Sequence, residues 1–446
     1  MIVRSIKFSD NSSLAKALGM NNNRGEDGIE IRLDEIPREL PDINIISNYT
    51  GLKILTLKKT ALSILETSTD IIRGYDLIDV DYNYFKAHIK EIHIPHNKLL
   101  ISIHTGSKNL IRKMLNDHRI YNKNLKLVLK KGNLKDYYAL RSEISNRRAT
   151  FFMVGEKYKI TRFYSIRGEG INYSYEGKRT APGQFSMEEA LKIRDYDVYG
   201  LVGNPLGKSL SKVIYEKIFS RYKINAIYLN FEINHEDFNY FIKIARDVNI
   251  AGLNFTVPFK LNASRIFYDG IHPINFVNFK GKVKAGNADL EAIKYLTEGK
   301  NPEKVLIYGN GASAITSLMA FPQSKVYVIG RNPDKVKEFS DKFKVEIVKE
   351  PGKFDFLINS TPVGMYQPDG IPEIILNSEF ETIIDFPYSE HKTVFQKFAE
   401  KKGSEFISGK EILATQASFN IHYWFGIHVS PSEILKILRG GKNGNN

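Results

Sequence analysis

Val305-Leu306-Ile307-Tyr308-Gly309-Asn310-Gly311-Ala312-Ser313-Ala314 reads as a buried strand, a glycine turn and the start of a helix. Glycines at 309 and 311 permit a tight turn and close backbone approach, so a pyrophosphate can sit on the amides of the helix N-terminus. Taken alone, such a turn is equally a plain strand-to-helix connection. The next strand, Val326-Tyr327-Val328-Ile329, ends in Gly330-Arg331-Asn332-Pro333. An acidic residue there would take the ribose hydroxyls of NAD; Arg331 instead favours the 2′-phosphate of NADP. Asn332 before Pro333 is also a ready helix start, so it fits a cap as well as a cofactor contact.

Upstream, Gly203-Asn204-Pro205-Leu206-Gly207-Lys208-Ser209-Leu210-Ser211 sets two serines two residues apart after a turn. Their hydroxyls can bind one carboxylate, and either also fits a helix cap. Asn254-Phe255-Thr256-Val257-Pro258-Phe259-Lys260 and Gly286-Asn287-Ala288-Asp289 add a lysine and an aspartate that singly read as surface charges.

Residues 1 to about 190 alternate short apolar runs with amphipathic stretches, the pattern of strand-helix units around a parallel barrel. In Ile29-Glu30-Ile31-Arg32-Leu33-Asp34 the apolar side chains share one face and the charged ones the other. Leu55-Thr56-Leu57-Lys58, Ile101-Ser102-Ile103-His104 and Leu125-Lys126-Leu127-Val128-Leu129 repeat the arrangement. A barrel would turn these polar faces to one interior that opens at the C-terminal strand ends. Alone, Lys126 reads as the wet face of an edge strand and His104 as a loop histidine. Together they suggest a desolvated lysine with a lowered pKa that attacks a ketone, and a histidine that moves the protons.

A chain of 446 residues exceeds one hydrophobic core, so two or three domains are expected. With 42% hydrophobic and 26% charged residues it reads as soluble and globular, and no apolar run is long enough for a bilayer. Met1-Ile2-Val3-Arg4-Ser5-Ile6-Lys7-Phe8 alternates like a strand rather than a targeting segment, which sets a cytoplasmic expectation with no membrane partner. Cys 0 excludes disulfides, thiolate nucleophiles and cysteine metal sites, and no metal is expected. The net charge of +14 comes from scattered lysines without a basic stripe, so a solvated surface is expected and not a nucleic-acid partner. A positive surface also draws carboxylate substrates and a phosphorylated cofactor. Ser186-Met187-Glu188-Glu189 is a capping box for a helix closing the first half; no spacer or internal repeat follows, and only residues 440–446 read as disordered.

The C-terminal series, with Asn359-Ser360-Thr361-Pro362-Val363-Gly364-Met365, Asp385-Phe386-Pro387-Tyr388 and Gly409-Lys410-Glu411-Ile412-Leu413-Ala414-Thr415-Gln416, resembles shikimate dehydrogenase across essentially the whole second half. The resemblance implies that Lys260 and Asp289 transfer protons and that Ser209, Ser211, Asn254, Thr256, Asn275, Tyr388 and Gln416 surround the substrate. It places NADP on Gly309, Asn310, Gly311, Ala312, Ser313, Arg331, Asn332, Thr361 and Met365. Lys208, Lys212, Ala288 and Ala292 depart from the family pattern, and Ala288 loses a hydroxyl near the substrate.

Glu30-Ile31-Arg32-Leu33-Asp34, Ser102-Ile103-His104, Leu125-Lys126-Leu127, Thr161-Arg162 and Ala181-Pro182-Gly183-Gln184 resemble type I 3-dehydroquinate dehydratase. By that resemblance Lys126 carries a Schiff base, His104 is the acid/base, and Glu30, Arg32, Lys58, Arg162, Thr180 and Gln184 hold the substrate. Lys58 stands for the usual arginine, Leu62 for the glutamate that would orient the histidine, and Thr180 for a serine; the short spacings imply a trimmed barrel.

The expected fold is therefore α/β: a (β/α)8-type barrel over 1–195, a dehydrogenase substrate domain over 196–298 completed by helices in 406–440, and a Rossmann domain over 299–405. The expected activity is fused: dehydration of 3-dehydroquinate to 3-dehydroshikimate, then NADPH-dependent reduction to shikimate, with a homodimer compatible. A non-catalytic sensor built on the same domains, and a quinate or shikimate dehydrogenase with an inert barrel, are the alternatives.

Overall fold

The computed structural model describes residues 1–19, 25–58, 64, 69–91, 93–207, 209–268, 270–365 and 370–440. Leu62, Lys208 and the tail 441–446 lie outside the described residues. The chain forms two compact units: Met1–Val198 with Asn225–Ile227 and Phe231–Ile250, and Tyr199–Ile224 with Tyr228–Asn230 and Ala251–Asn446.

Alternating apolar and polar residues in the first unit form eight strands: β1 Ile2–Lys7, β2 Gly28–Leu33, β3 Leu52–Leu57, β4 Leu77–Asp81, β5 Leu99–Thr105, β6 Asn124–Leu129, β7 Ala149–Met153 and β8 Asn172–Ser174. They make one sheet in the order β7-β6-β5-β4-β3-β2-β1-β8, with parallel neighbours throughout. No ladder joins β7 to β8 among the described residues. There the Ile171 amide donates to Thr150 Oγ1 at 2.6 Å and brings the edges together into a nearly closed barrel. All eight strands are present, and the shortening falls on helices such as Ile43–Ser47 and Phe163–Ile166.

The helix Met187–Asp195 opens with the capping box: Ser186 Oγ accepts from the Glu189 amide at 3.1 Å, and Glu189 Oε2 from the Ser186 amide at 3.2 Å. Phe231–Ile250 carries the first unit beyond the expected division at 195. Its Asp237 carboxylate accepts the Leu134 amide at 2.6 Å, at the start of helix Leu134–Ile144. Tyr164 Oη donates to Asp247 at 2.9 Å, and Arg167 donates to the Val248 carbonyl at 2.6 Å.

The second unit holds two sheets. Strands β9 Asp197–Gly203, β10 Ala226–Glu232, β11 Gly252–Phe255, β12 Phe276–Asn278 and β13 Lys284–Gly286 are ordered β10-β9-β11-β12-β13, with β10 contributing Tyr228–Asn230 to this unit. The helix Gly409–Phe425 packs along the helix Ala288–Leu296, and Trp424 Nε1 donates to the Val277 carbonyl at 3.3 Å. Strands β14 Lys304–Tyr308, β15 Lys325–Ile329, β16 Glu346–Ile347, β17 Lys353–Asn359, β18 Glu379–Asp385 and β19 Glu405–Ile407 form a parallel sheet ordered β16-β15-β14-β17-β18-β19. That is the Rossmann strand order, with hydrophobic clusters on both faces; its direction reverses between β14 and β17, where open α/β sheets form their ligand crevice.

Candidate active sites

Barrel strands turn alternate side chains inward. Val3, Ile54, Leu77, Leu100, Val128, Phe152, Ile171 and Tyr173 form an apolar interior cluster. Against it lies a polar set: Glu30, Thr56, Asp79, Ser102 and Lys126 are all buried. Lys126 is 5% exposed, so the wet-edge reading fails for it. Its Nζ donates to Glu30 Oε1 at 3.0 Å and Asp79 Oδ2 at 2.9 Å, and lies 3.7 Å from the centroid of the Tyr173 ring. Thr56 Oγ1 donates to Glu30 at 2.7 Å, and Ser5 hydrogen-bonds the other Glu30 oxygen.

One expectation is overturned here. Burial alone would lower the Lys126 pKa, but Asp79 and Glu30 outweigh it and hold the amine above its ordinary range. Lys126 therefore rests as an ammonium, not as a free base. His104 behaves oppositely: burial, then Lys126 and Lys58, pull it down to about 3, so the imidazole is neutral and able to accept a proton. Its Nε2 has no hydrogen-bond partner among the described residues, nor has Asp79 Oδ1. The pKa of the half-buried Lys58 is likewise lowered by burial and by Lys126.

The remaining barrel candidates divide. Arg162 is buried with its guanidinium 4.0 Å from the inward Phe152 ring and its Nε unpartnered, and burial pulls it down to about 10. A buried cation so placed calls for an anion. Arg32 Nη2 donates to Asp34 at 3.1 Å while its charge also acts on Glu30. Gln184 is bonded to its own loop and to β8: Oε1 accepts from Thr180 Oγ1 at 2.7 Å, and Nε2 donates to the Tyr173 carbonyl at 2.9 Å. Sequence reasoning missed Asp79 and Tyr173, although Leu77-Ile78-Asp79-Val80-Asp81 carries the same alternation as the strands it used.

In the second unit a cavity of about 360 Å³ is lined by Ser209, Ser211, Asn254, Thr256, Lys260, Asn275, Asp289, Ser313, Thr361, Met365, Tyr388 and Gln416. Lys260 opens the helix Lys260–Phe267, Asp289 is the second residue of the helix Ala288–Leu296, and the two face each other with Nζ donating to Oδ2 at 2.6 Å. Neither is a surface charge, each being 8% exposed. Asn287 Oδ1 caps the second helix, accepting from Asp289 N at 3.2 Å. Asn275 Oδ1 accepts the Ala288 amide at 2.7 Å, Tyr228 Oη donates to Asn254 Oδ1 at 2.8 Å, and Asn420 Nδ2 donates to Gln416 Oε1 at 2.9 Å. Tyr228 and Asn420 are supports that the sequence did not disclose. Ser209 does reach the start of the helix Ser211–Arg221, its Oγ accepting from the Ser211 amide at 3.3 Å, while Ser211 is the first residue of that helix.

The β14 turn fits the expected dinucleotide. Gly309 has φ +121°, and a Cβ there would fall 2.4 Å from Ser360 Oγ. The helix Ala312–Ala320 starts at Gly311 without a side-chain cap, and a Cβ on Gly311 would meet nothing within 4 Å, which leaves open space at its first amides. Arg331 is exposed just beyond β15. Asn332 is a cap, its Oδ1 accepting from Lys335 N at 3.1 Å. The strand-end loop is held by Asp385, whose carboxylate accepts from Asn359 Nδ2 at 2.7 Å and from Thr393 Oγ1 at 2.6 Å, while Asn359 Oδ1 accepts from Thr361 Oγ1 at 2.7 Å.

A family profile described as the shikimate dehydrogenase substrate binding domain matches residues 201–271. The NADP(+) shikimate dehydrogenase of Sulfolobus acidocaldarius is 31% identical over 267 residues, covering 56% of this chain and 98% of the relative. That of Methanococcus maripaludis is 30% identical over 253 residues, covering 51% and 91%. A solved dehydroquinate dehydratase and shikimate dehydrogenase from S. pombe aligns with 98% of both chains, at 16% identity and a TM-score of 0.44, a likeness too loose to assign anything. No described helix is long and apolar enough to cross a membrane.

Proposed function

Because this chain belongs to the shikimate dehydrogenase family, we propose that its second unit reduces 3-dehydroshikimate to shikimate with NADPH, and that its barrel makes that substrate by dehydrating 3-dehydroquinate. The observation that carries the reduction is the Lys260–Asp289 pair in the cavity that Ser209 and Ser211 also line. Bound NADPH supplies the hydride. Gly309 to Ser313 hold the pyrophosphate, Arg331 the 2′-phosphate, and Thr361 with Met365 the reacting end. Ser209 and Ser211 take the substrate carboxylate, while Asn254, Thr256, Asn275, Tyr388 and Gln416 orient its hydroxyls. Lys260 gives its proton to the oxygen that becomes an alkoxide and regains one from solvent, while the Asp289 carboxylate stabilises its ammonium form.

For the barrel, the carrying observation is a buried lysine between two carboxylates beside a neutral histidine. Lys126 passes a proton to Asp79 or Glu30, attacks the ketone and forms an imine with loss of water. His104 removes the proton beside the imine and returns it to the departing hydroxyl. Arg162 and Lys58 hold the substrate carboxylate and Arg32 its hydroxyls, while Gln184, bonded to Thr180 and to the Tyr173 carbonyl, shapes the loop beside them. The domain limits 1–195, 196–298 and 299–405 are part of this proposal.

The test is one protein and two additions. With 3-dehydroquinate alone, enone absorbance should rise; with NADPH added, cofactor should be oxidised at a matching rate. An enone that never forms, while shikimate is still oxidised by NADP, would leave an inert barrel on a working dehydrogenase.

A further inference from the structure

We propose that Tyr173 is a further catalytic residue of the barrel, its ring face holding the positive charge on the Lys126 nitrogen once that nitrogen is bonded to substrate. This rests on the imine reading above. Tyr173 lies at the middle of β8, pairs in register with Val3 of β1, and is buried in the apolar interior cluster. Lys126 Nζ sits 3.7 Å from its ring centroid, well inside the roughly 6 Å range of a cation–π contact.

The balance of the step shows why the ring matters. The ammonium has three N–H groups and uses two on Glu30 and Asp79. When the C–N double bond forms, the carbonyl C–O bond breaks, two of those protons leave with the oxygen as water, and one N–H remains. The charge is still +1, but only one carboxylate hydrogen bond can survive. Attraction to the ring needs no N–H, so it persists when hydrogen bonding is halved. The phenol contributes as a neutral group, because burial pushes its pKa above the ordinary range.

The experiment uses the full chain with 3-dehydroquinate and sodium borohydride, and compares Tyr173→Phe, Tyr173→trifluorophenylalanine and Tyr173→Leu by trapped adduct, kcat and KM. Fluorination weakens the ring's negative face with little change of shape, so a merely structural role would not respond. Tyr173→Phe should keep trapping and kcat within about threefold, whereas the fluorinated ring and leucine should each lose about tenfold or more at little-changed KM. Equal rates for the phenyl and fluorinated rings would overturn the proposal. So would a loss in Tyr173→Phe as large as in Tyr173→Leu, which would assign the effect to the hydroxyl. If the unsubstituted protein traps nothing on Lys126, the imine reading itself falls and this inference with it.

Discussion

Each unit buries a lysine against acid, but Lys126 faces two carboxylates and an aromatic ring, while Lys260 pairs, among the described residues, with Asp289. The difference fits the roles proposed for the two nitrogens. A Schiff-base lysine remains cationic through most of its cycle, so its counterions must serve the covalent species as well as the free amine. A lysine that lends one proton to an alkoxide needs a single partner able to share that proton. On the proposed reading, the number of counterions separates a nucleophile from a proton donor.

The largest test removes the nitrogen. Lys126→Ala should abolish dehydration and borohydride trapping while shikimate oxidation continues unchanged in the same protein. Mass spectrometry that finds the adduct on another lysine would break the comparison at its root.

Proton transfer comes next. His104→Ala should slow dehydration by about two to four orders of magnitude, the usual contribution of a positioned acid/base. Lys260→Ala and Asp289→Asn should lower dehydrogenase turnover by a similar factor with little rise in KM, because proton transfer belongs to the transition state. Were KM alone to rise, the second pair would be a binding device, and the contrast with Lys126 would vanish.

An intermediate effect concerns stability. Asp385 is fully buried and, among the described residues, accepts from Asn359 and Thr393; burial outweighs those bonds and raises its pKa to about 7. A folded-state value above the unfolded one, near 4, means that the folded form binds the proton more tightly. Stability from this group is therefore full below about pH 4, declines as pH rises toward 7 and is flat above. The cost is on the order of a few kcal/mol. Asp385→Asn should remove the decline, so its thermal midpoint should gain on that of the unsubstituted protein between pH 5 and 7.5. Parallel midpoints across that range would show that the group is ionised in the fold. No such decline is expected from Glu30, which Lys126 and neighbouring donors hold below the ordinary carboxylate range against the pull of burial.

What the sequence disclosed and what it concealed divide along chain distance. The Gly309 turn, the Ser186 capping box and the polar faces of β2, β3, β5 and β6 are local patterns, readable within a few residues. Asp79 reaches Lys126 from 47 residues away, and Asn359 reaches Asp385 across 26, so only the folded sheets reveal those pairs. The raised pKa of Lys126 is hidden from the sequence for the same reason. Desolvation is inferable from an apolar strand, but the opposing carboxylates arrive from other strands. Gln184 and Asn332 were recognisable as polar loop residues, yet their use in a loop and a cap depends on backbone geometry.

The smallest expected effect lies at the exposed end of the comparison. Arg331 stands at the β15 terminus where an acidic residue would take the ribose hydroxyls, and its guanidinium can pair a phosphate through two charge-assisted hydrogen bonds. Such a contact contributes roughly 1.5 to 3 kcal/mol, about tenfold to a hundredfold in affinity. NADPH should therefore bind more tightly than NADH by that factor, and Arg331→Ala should weaken NADPH while leaving NADH nearly untouched. Because the side chain is exposed, salt should shrink the preference, whereas the buried Lys126 chemistry should barely respond. Titrating both cofactors against both proteins at low and high ionic strength decides it: equal affinities in the unsubstituted protein would place the discrimination elsewhere, and a preference unmoved by salt would mean the phosphate is held by buried groups rather than by Arg331.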